Sequence, residues 1–440
     1  MITTAFLKIW GERVGAVAWN KETGVASFEY EPKFIATKSD LAPLKMPIAN
    51  STKRIFSFPE LRDVKTFKGL PGLLADVLPD DYGNQLINNW LAQNGRPENS
   101  MNPVELLCFI GTRGMGALEF EPSQFKSTKK AFDIEVDSLV NITQKMLTKR
   151  EGFQTNLNED EQQAMLDILK IGTSAGGARP KAIIAYNEKT GQVKSGQTNT
   201  PRDFEHWLIK LDTVSDVQFG ESTGYGRIEM AYYLMAKACE IEMMECRLME
   251  ENGRAHFMTK RFDRLAGGDK LHMQSLCGLA HYDFNESGAY SYEQAIGVLR
   301  QLGLSAKEIE QFYLRMVFNV VAVNQDDHTK NIAFLMDQKG KWSLSPAYDI
   351  TYSNGVGWTS RHQMTINGKA KDIEFDDLMK VARHGDLSLA KAKKIVKQVV
   401  GAVSRWPHYA ELAGLNDFDG MARLVAEIGA AQRLYLADGL

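Results

Sequence analysis

The sequence predicts an α+β protein made of more than one structural unit. Three observations carry this. Short β-prone runs, "FLKIW", "RVGAVAWN" and "VASFEY", crowd the start of the chain, broken by Gly-Glu and by "NKETG". In the middle, "DEQQAMLDILKIGTSAGGARPKAIIAYN" reads as helix, glycine-rich loop and strand. After about residue 290 the pattern turns mostly helical.

The chain has 440 residues, enough for two or three units with sizeable cores. Its 44% hydrophobic and 24% charged residues are the balance of a soluble globular protein. The net charge of −3 supplies no overall basic field for non-specific nucleic-acid binding. Cys108, Cys239, Cys246 and Cys277 show no C-x-x-C spacing, so they read as buried reduced thiols. The N-terminal "MITTAFLKIWGERVGAVAW" lacks the layout of a secretory leader, and no apolar run approaches membrane-spanning length. The expectation is a cytoplasmic protein with no membrane partner.

The elements follow in order. After the β-prone start, "LPGLLADVLPDDYGNQLINNWL" reads as a short apolar segment, a turn and an amphipathic helix. "NPVELLCFIGTRGMGALEFEP" reads as a helix, a Gly-rich turn and a strand. A polar connection over residues 122–160 carries the helix "EVDSLVNITQKML". Strands are expected at "HWLIKLD" and "RAHFMTKRF", with the helix "RIEMAYYLMAKACE" between them. "SAKEIEQFYLRMVFNVVAVN" is the clearest helix: Ser305 and Glu308 form a capping-box pattern, and Ile309, Phe312, Tyr313, Met316, Val317 and Val320 share one face.

That helix delivers the chain to "NQDDHTKNIAF", which is followed by "WSLSPAYDI". Asp326, Asn331 and Asp349 are hard oxygen donors of the kind Mg²⁺ takes when it also holds phosphate oxygens. A β-hairpin of "NIAFLM" and "WSLS" would bring Asn331 and Asp349 to one end of the pair. A carboxylate ahead of such a site can orient a hydroxyl nucleophile and accept its proton. Taken alone, the stretch is a solvated polar turn. Asp349, set among aromatic and apolar residues in "SPAYDITYS", argues against that, because a stray carboxylate there is costly.

Three further stretches bear on the same chemistry. The glycines at 172, 176 and 177 let backbone N–H groups approach a phosphate, though the loop has neither a Walker A ending nor G-x-G-x-x-G spacing. Ser174 within it is a phosphate contact or a turn residue. Lys210 sits in an apolar strand, either on a solvent face or as a phosphate-binding lysine; Glu229 is then its natural partner. "FMTKRFDR" is a strand end with a salt bridge, or a hinge whose backbone faces an adenine.

Together and in this order, "LLADVLPDDYG", "IGTRGMGALEF", "GTSAGGARPKA", "LIKL", "KRFDR", "DDHTKN" and "PAYDI" resemble the HipA family of bacterial toxin–antitoxin serine/threonine kinases. The resemblance runs through nearly the whole chain. It implies a bilobal, protein-kinase-like α+β fold: a β-rich N-terminal subdomain (1–125), a mixed α/β N-lobe core (126–265) and an all-helical C-lobe (266–440). It implies ATP and Mg²⁺ as cofactors. Asp326 would be the catalytic aspartate, and Asn331 and Asp349 would hold Mg²⁺. Lys210, supported by Glu229, would meet the ATP phosphates. Gly176, Gly177, Ala178, Arg179, Pro180 and Lys181 would lie along the nucleotide. The backbone of Lys260, Arg261 and Phe262 would meet the adenine, and His328, Lys330 and Tyr348 would line the site. Ser174 matches the family's autophosphorylated loop serine.

Two positions depart from the family pattern. Asp327 stands where glycine is often found, and the register with His328 and Asn331 selects Asp326 as the base. Lys260 stands where a glutamate can occur, a change of little consequence for a backbone contact. The resemblance also implies a small HipB-like helix-turn-helix antitoxin, operator DNA met mainly through that antitoxin, and a protein substrate of the aminoacyl-tRNA synthetase kind. The rival expectations are a small-molecule kinase on a related fold and a catalytically idle co-repressor. The joint presence of Lys210, Asp326, Asn331 and Asp349 argues against the idle form.

Overall fold

The computed structural model describes residues 2–50, 54–124, 131–148, 159–172, 179–196, 200–212, 224–265, 268–415 and 421–437. The chain forms two compact units. One comprises residues 1–223, 247–273 and 337–340; the other comprises 224–246, 274–336 and 341–440.

The first unit holds two antiparallel sheets. Strands β1 (Thr4–Ile9), β2 (Glu12–Asn20), β3 (Val25–Tyr30), β4 (Ile55–Ser57) and β5 (Leu118–Glu121) are ordered β4-β3-β2-β1-β5. Alternation drives them: Ala5, Leu7 and Ile9 point into the core while Phe6 faces outward. Gly15 is required where β2 meets β3, since a Cβ there would lie 2.2 Å from the Glu29 carbonyl oxygen. The apolar helix Pro103–Ile110 is buried along its whole length, and its Asn102 cap accepts from Glu105 N–H at 2.9 Å.

The second sheet contains β6 (Lys181–Tyr186), β7 (Val193–Ser195), β8 (Glu205–Lys210), β9 (Cys246–Glu251) and β10 (Arg254–Lys260), ordered β7-β6-β8-β10-β9. The expected helices Val136–Thr148 and Glu159–Gly172 precede it. Where β10 ends, a buried charge cluster ties the chain to the turn before β5. Arg261 reaches both Asp263 oxygens at 2.8 and 2.6 Å, Asp263 Oδ2 accepts from Gly116 N–H at 2.6 Å, and Arg264 donates to the Gly114 and Gly116 carbonyls. Burial would raise the Asp263 carboxyl, but the Arg261 and Arg264 charges hold it well below the usual range.

The other unit is mainly helical: Tyr225–Ala238, Tyr292–Gln301, Ala306–Val321, Phe375–His384, Leu389–Val403, Trp406–Leu412 and Met421–Ala437. The helix Ala306–Val321 buries the apolar face read from its spacing. The Tyr232 ring meets Phe318 and Trp406 edge-on, at 6.3 and 5.6 Å. After β11 (His272–Ser275), the expected hairpin is present as β12 (Ala333–Met336) and β13 (Trp342–Leu344), with Phe334 opposite Leu344. β12 begins two residues after Asn331, which lies in the 3₁₀ turn Thr329–Asn331. The four cysteines are buried and free. Among the described residues, no helix is long and apolar enough to cross a membrane.

Candidate active site

The site in the helical unit starts from how one helix stops. Ser305 and Glu308 complete the capping box that opens Ala306–Val321. At the other end, Val323 N–H donates to Val320 O at 3.2 Å and Asn324 N–H to Asn319 O at 2.8 Å. These paired bonds form a Schellman stop, which places its turning residue in the left-handed region. That residue is Val323, at φ 58°, where glycine is usual and a β-branched side chain is strained. Its burial holds it there, and so does a clamp. Ser353 N–H donates to Val323 O at 3.1 Å, and Gln325 N–H donates to Ser353 O at 2.9 Å.

The two adjacent carboxylates that follow have opposite surroundings. Asp327 is buried and takes three hydrogen bonds, from Tyr292 Oη at 2.8 Å, His362 Nδ1 at 2.8 Å and Gln363 N–H at 2.7 Å. An ionised carboxylate only accepts, so His362 carries its proton on Nδ1. Burial and the Asp327 charge push the Tyr292 phenol well above its usual pKa, so it remains a donor. Asn319 Nδ2 donates to the same phenol at 3.0 Å and Asn324 Nδ2 to Asn319 Oδ1 at 2.9 Å, which extends the network back to the helix end.

Asp326 faces outward, its side chain 39% exposed. Its Oδ1 accepts from the Trp358 indole N–H at 2.7 Å, and its carbonyl accepts from Asn331 Nδ2 at 2.8 Å. His328 Nε2 stands 3.8 Å from the same Oδ1, and the His328 ring packs against Phe284 and Trp358. Lys330 Nζ lies 5.2 Å over the Phe284 ring.

The bond from Asn331 Nδ2 leaves its amide oxygen, for which no partner stands among the described residues, as a hard donor. Tyr348 Oη donates to Lys330 O at 2.6 Å, so the residues before Asn331 and before Asp349 are tied together. Asp349 is left-handed, at φ 51°, a conformation aspartate adopts more readily than most residues. Among the described residues, no cluster of three or more His, Cys, Asp or Glu is poised for a metal. One carboxylate and one amide oxygen nevertheless fit Mg²⁺, which commonly keeps waters and phosphate oxygens beside one or two protein ligands.

The remaining sequence-predicted residues belong mostly to the first unit. Ser174, Gly176, Gly177 and Ala178 lie outside the described residues. Pro180 O accepts from Leu211 N–H at 3.0 Å, which seats the chain leaving Arg179 against the end of β8. Lys181 and Lys210 are direct cross-strand partners on β6 and β8, and Lys210 Nζ lies 5.8 Å from the Phe257 ring. Lys260 pairs with Glu205. Arg261 N–H donates to His206 O at 2.9 Å, its side chain pairs with Asp263, and Lys260 lies opposite Trp207 in the ladder of β10 and β8. Glu229 is buried in the helix Tyr225–Ala238 of the other unit.

Sequence reasoning missed Trp358, which holds Asp326, and the Tyr292–Asp327–His362 network. A signal for the first existed: a tryptophan directly after the second of two glycines in "NGVGWTS", with no apolar periodicity to claim it for a core. The network had none, because Asp327 is 35 residues from each side-chain partner.

Known proteins are similar to this chain. The family model described as HipA-like C-terminal domain covers residues 173–406, more than half of the chain. The chain belongs to the HipA family. The model of the HipA N-terminal domain covers residues 7–121, the stretch of the first sheet. A protein of Sinorhizobium fredii (strain NBRC 101917 / NGR234) that bears a kinase name, Y4dM, is 23% identical over 253 residues, 52% of this chain. The chain spans 58% of the length of that curated relative. The Shewanella oneidensis MR-1 toxin–antitoxin structure of HipA with HipB and operator DNA superposes at a TM-score of 0.67 and 16% identity, covering 98% of this chain and 97% of that one. The HipA fold, kinase-like and α+β, is therefore the fold of this chain. The Helicobacter pylori kinase CtkA overlaps 60% of the chain at 11% identity, 90% of its own length, and a TM-score of 0.38, too loosely to bear on the fold.

Proposed function

We propose that the chain is an ATP- and Mg²⁺-dependent serine/threonine-protein kinase, the toxin of a HipA–HipB-like type II toxin–antitoxin pair. The observation that carries it is the division of labour within "DDHTKN". Asp327 is consumed by structure, while Asp326 stays accessible, held by Trp358 and anchored through Asn331.

Phosphoryl transfer asks for positioning and charge neutralisation more than covalent chemistry. Asp326 orients the acceptor hydroxyl and takes its proton as the oxygen bonds to the γ-phosphorus and ADP leaves. Asn331 Oδ1 and the Asp349 carboxylate would hold Mg²⁺, which would supply positive charge against the transferred phosphoryl group. Lys210, with Glu229 in support, meets the ATP phosphates. The loop from Gly176 to Lys181 lies along the nucleotide, and the backbone from Lys260 to Phe262 meets the adenine. His328, Lys330 and Tyr348 line the site through Phe284, Trp358 and the bond to Lys330 O. Ser174 is the autophosphorylation site.

The antitoxin is a HipB-like helix-turn-helix protein, and operator DNA is met mainly through it. The net charge of −3 agrees with a chain that does not itself carry the DNA-binding field. The substrate is a protein, of the aminoacyl-tRNA synthetase class.

The test is to incubate the pure protein with Mg²⁺-ATP and map phosphate by mass spectrometry, beside Asp326→Asn. Phosphate on Ser174 in the parent, reduced by about 10²- to 10⁴-fold in the variant, is the expected result. Nucleotide binding with no transfer to Ser174 or to any added protein would overturn it in favour of an idle co-repressor.

A further inference from the structure

Behind the turn that carries Trp358, the helical unit has a cavity of about 450 Å³ lined by Gly357, Ser360, Arg361, Ala370 and Lys371. Its construction begins in the sequence "RHQMTINGKAK". Asn367 and Gly368 both take positive φ, 49° and 77°, the requirement of a tight two-residue reversal. Ile366 and Lys369 pair around it, and His362 N–H donates to Ala370 O at 3.0 Å. The chain therefore leaves and re-enters side by side, and Arg361 and Lys371 emerge together at the open end.

Among the described residues, neither cation has a carboxylate partner. Arg361 donates from Nε to Ser287 Oγ at 3.3 Å, and Lys371 makes no ion pair among those residues. Two exposed like charges lining one cavity repel each other until an anion enters. The cavity is also fixed to the catalytic loop. Gln363 Nε2 donates to the carbonyls of Trp358, Arg361 and Gln325, at 2.7, 2.8 and 3.2 Å, while Trp358 holds Asp326. Beside it, Val356 is 99% exposed. A bare apolar side chain at the rim fits a polypeptide better than a free small anion.

We propose that this cavity is an acceptor-docking site for an acidic segment of the phosphate-accepting polypeptide. A glutamate or aspartate near the acceptor serine or threonine enters between Arg361 and Lys371. Val356 contacts the flanking chain, and the hydroxyl is presented to Asp326. This rests on the kinase reading above, but docking needs no turnover, so binding tests it separately.

The experiment measures fluorescence anisotropy of labelled serine peptides flanked by glutamates, alanines or lysines. Full-length Asp326→Asn protein is used at low ionic strength, where exposed ion pairs are least screened. The glutamate peptide is expected to bind about ten-fold more tightly than the alanine peptide, a difference erased in Arg361→Ala/Lys371→Ala. Arg361→Glu/Lys371→Glu, also on exposed side chains, should turn the preference toward the lysine peptide. Equal binding of glutamate and alanine peptides, or a preference that survives both double variants, would sink the docking site. Failure of the parent protein to transfer phosphate in the Ser174 assay would count against the kinase reading and leave the binding result standing.

Discussion

At the scale of single residues, the adjacent pair Asp326 and Asp327 is the instructive case. Nothing in their side chains distinguishes them. Asp327 is fixed by three donors in a dry setting, and removing it strands Tyr292, His362 and the Gln363 N–H. Asp327→Ala should therefore cost about 3 kcal/mol of stability, read as a lower urea midpoint with an unchanged slope. Register in "DDHTKN" was enough to prefer Asp326 as the base. Why the second position tolerates aspartate was illegible, because the answer is held by Tyr292 and His362, each 35 residues away in opposite directions.

At the scale of elements, local rules account for much of the site. The capping box of Ala306–Val321 was readable from Ser305 and Glu308, and it forms. Glu308 also accepts from Leu344 N–H at 3.0 Å, so the cap that starts the helix anchors β13 as well. The helix end was less legible, since a Schellman stop normally announces itself with glycine and here uses Val323. The turn Gly357–Ser360 is the element that composition hid. Its Trp358 donates one hydrogen bond to a charged acceptor, an interaction worth about 1.5–3 kcal/mol. Trp358→Phe keeps most of the ring but loses the donor. It should lower kcat by about ten-fold while the KM for ATP stays unchanged, as steady-state kinetics on an acceptor protein would show. An equal rise in the KM for ATP would mean that the turn serves the nucleotide instead.

At the scale of the whole molecule, the first unit carries a pH dependence that follows from its buried imidazoles. Burial brings the His272 pKa down to about 3 from 6.5. Burial, together with the Arg261 and Arg264 charges, brings His206 down to about 4. Each is neutral in the fold and takes up a proton in the unfolded chain below pH 6.5. The unfolded state then binds more protons, so stability falls as pH drops from 6.5 toward 3, by up to about 1.4 kcal/mol per pH unit for His272. Urea midpoints across that range should slope downward, and His272→Asn should remove about one proton's worth of the slope. A variant as steep as the parent would show that the buried imidazole does not carry the effect.

The sequence alone determined the elements and the order of the motifs. Hydrophobic periodicity, capping residues and turn dipeptides act over a few positions, and Asp326, Asn331 and Asp349 share the reach of one hairpin. It also determined family membership, since seven short motifs in fixed order survive where no single one is specific. Tertiary structure decided which of two adjacent carboxylates is buried, which tryptophan holds the other, and that Arg361 and Lys371 share a cavity. Those outcomes depend on partners supplied by distant segments. Burial and hydrogen bonding are set by what packs against a residue, and linear spacing does not encode that.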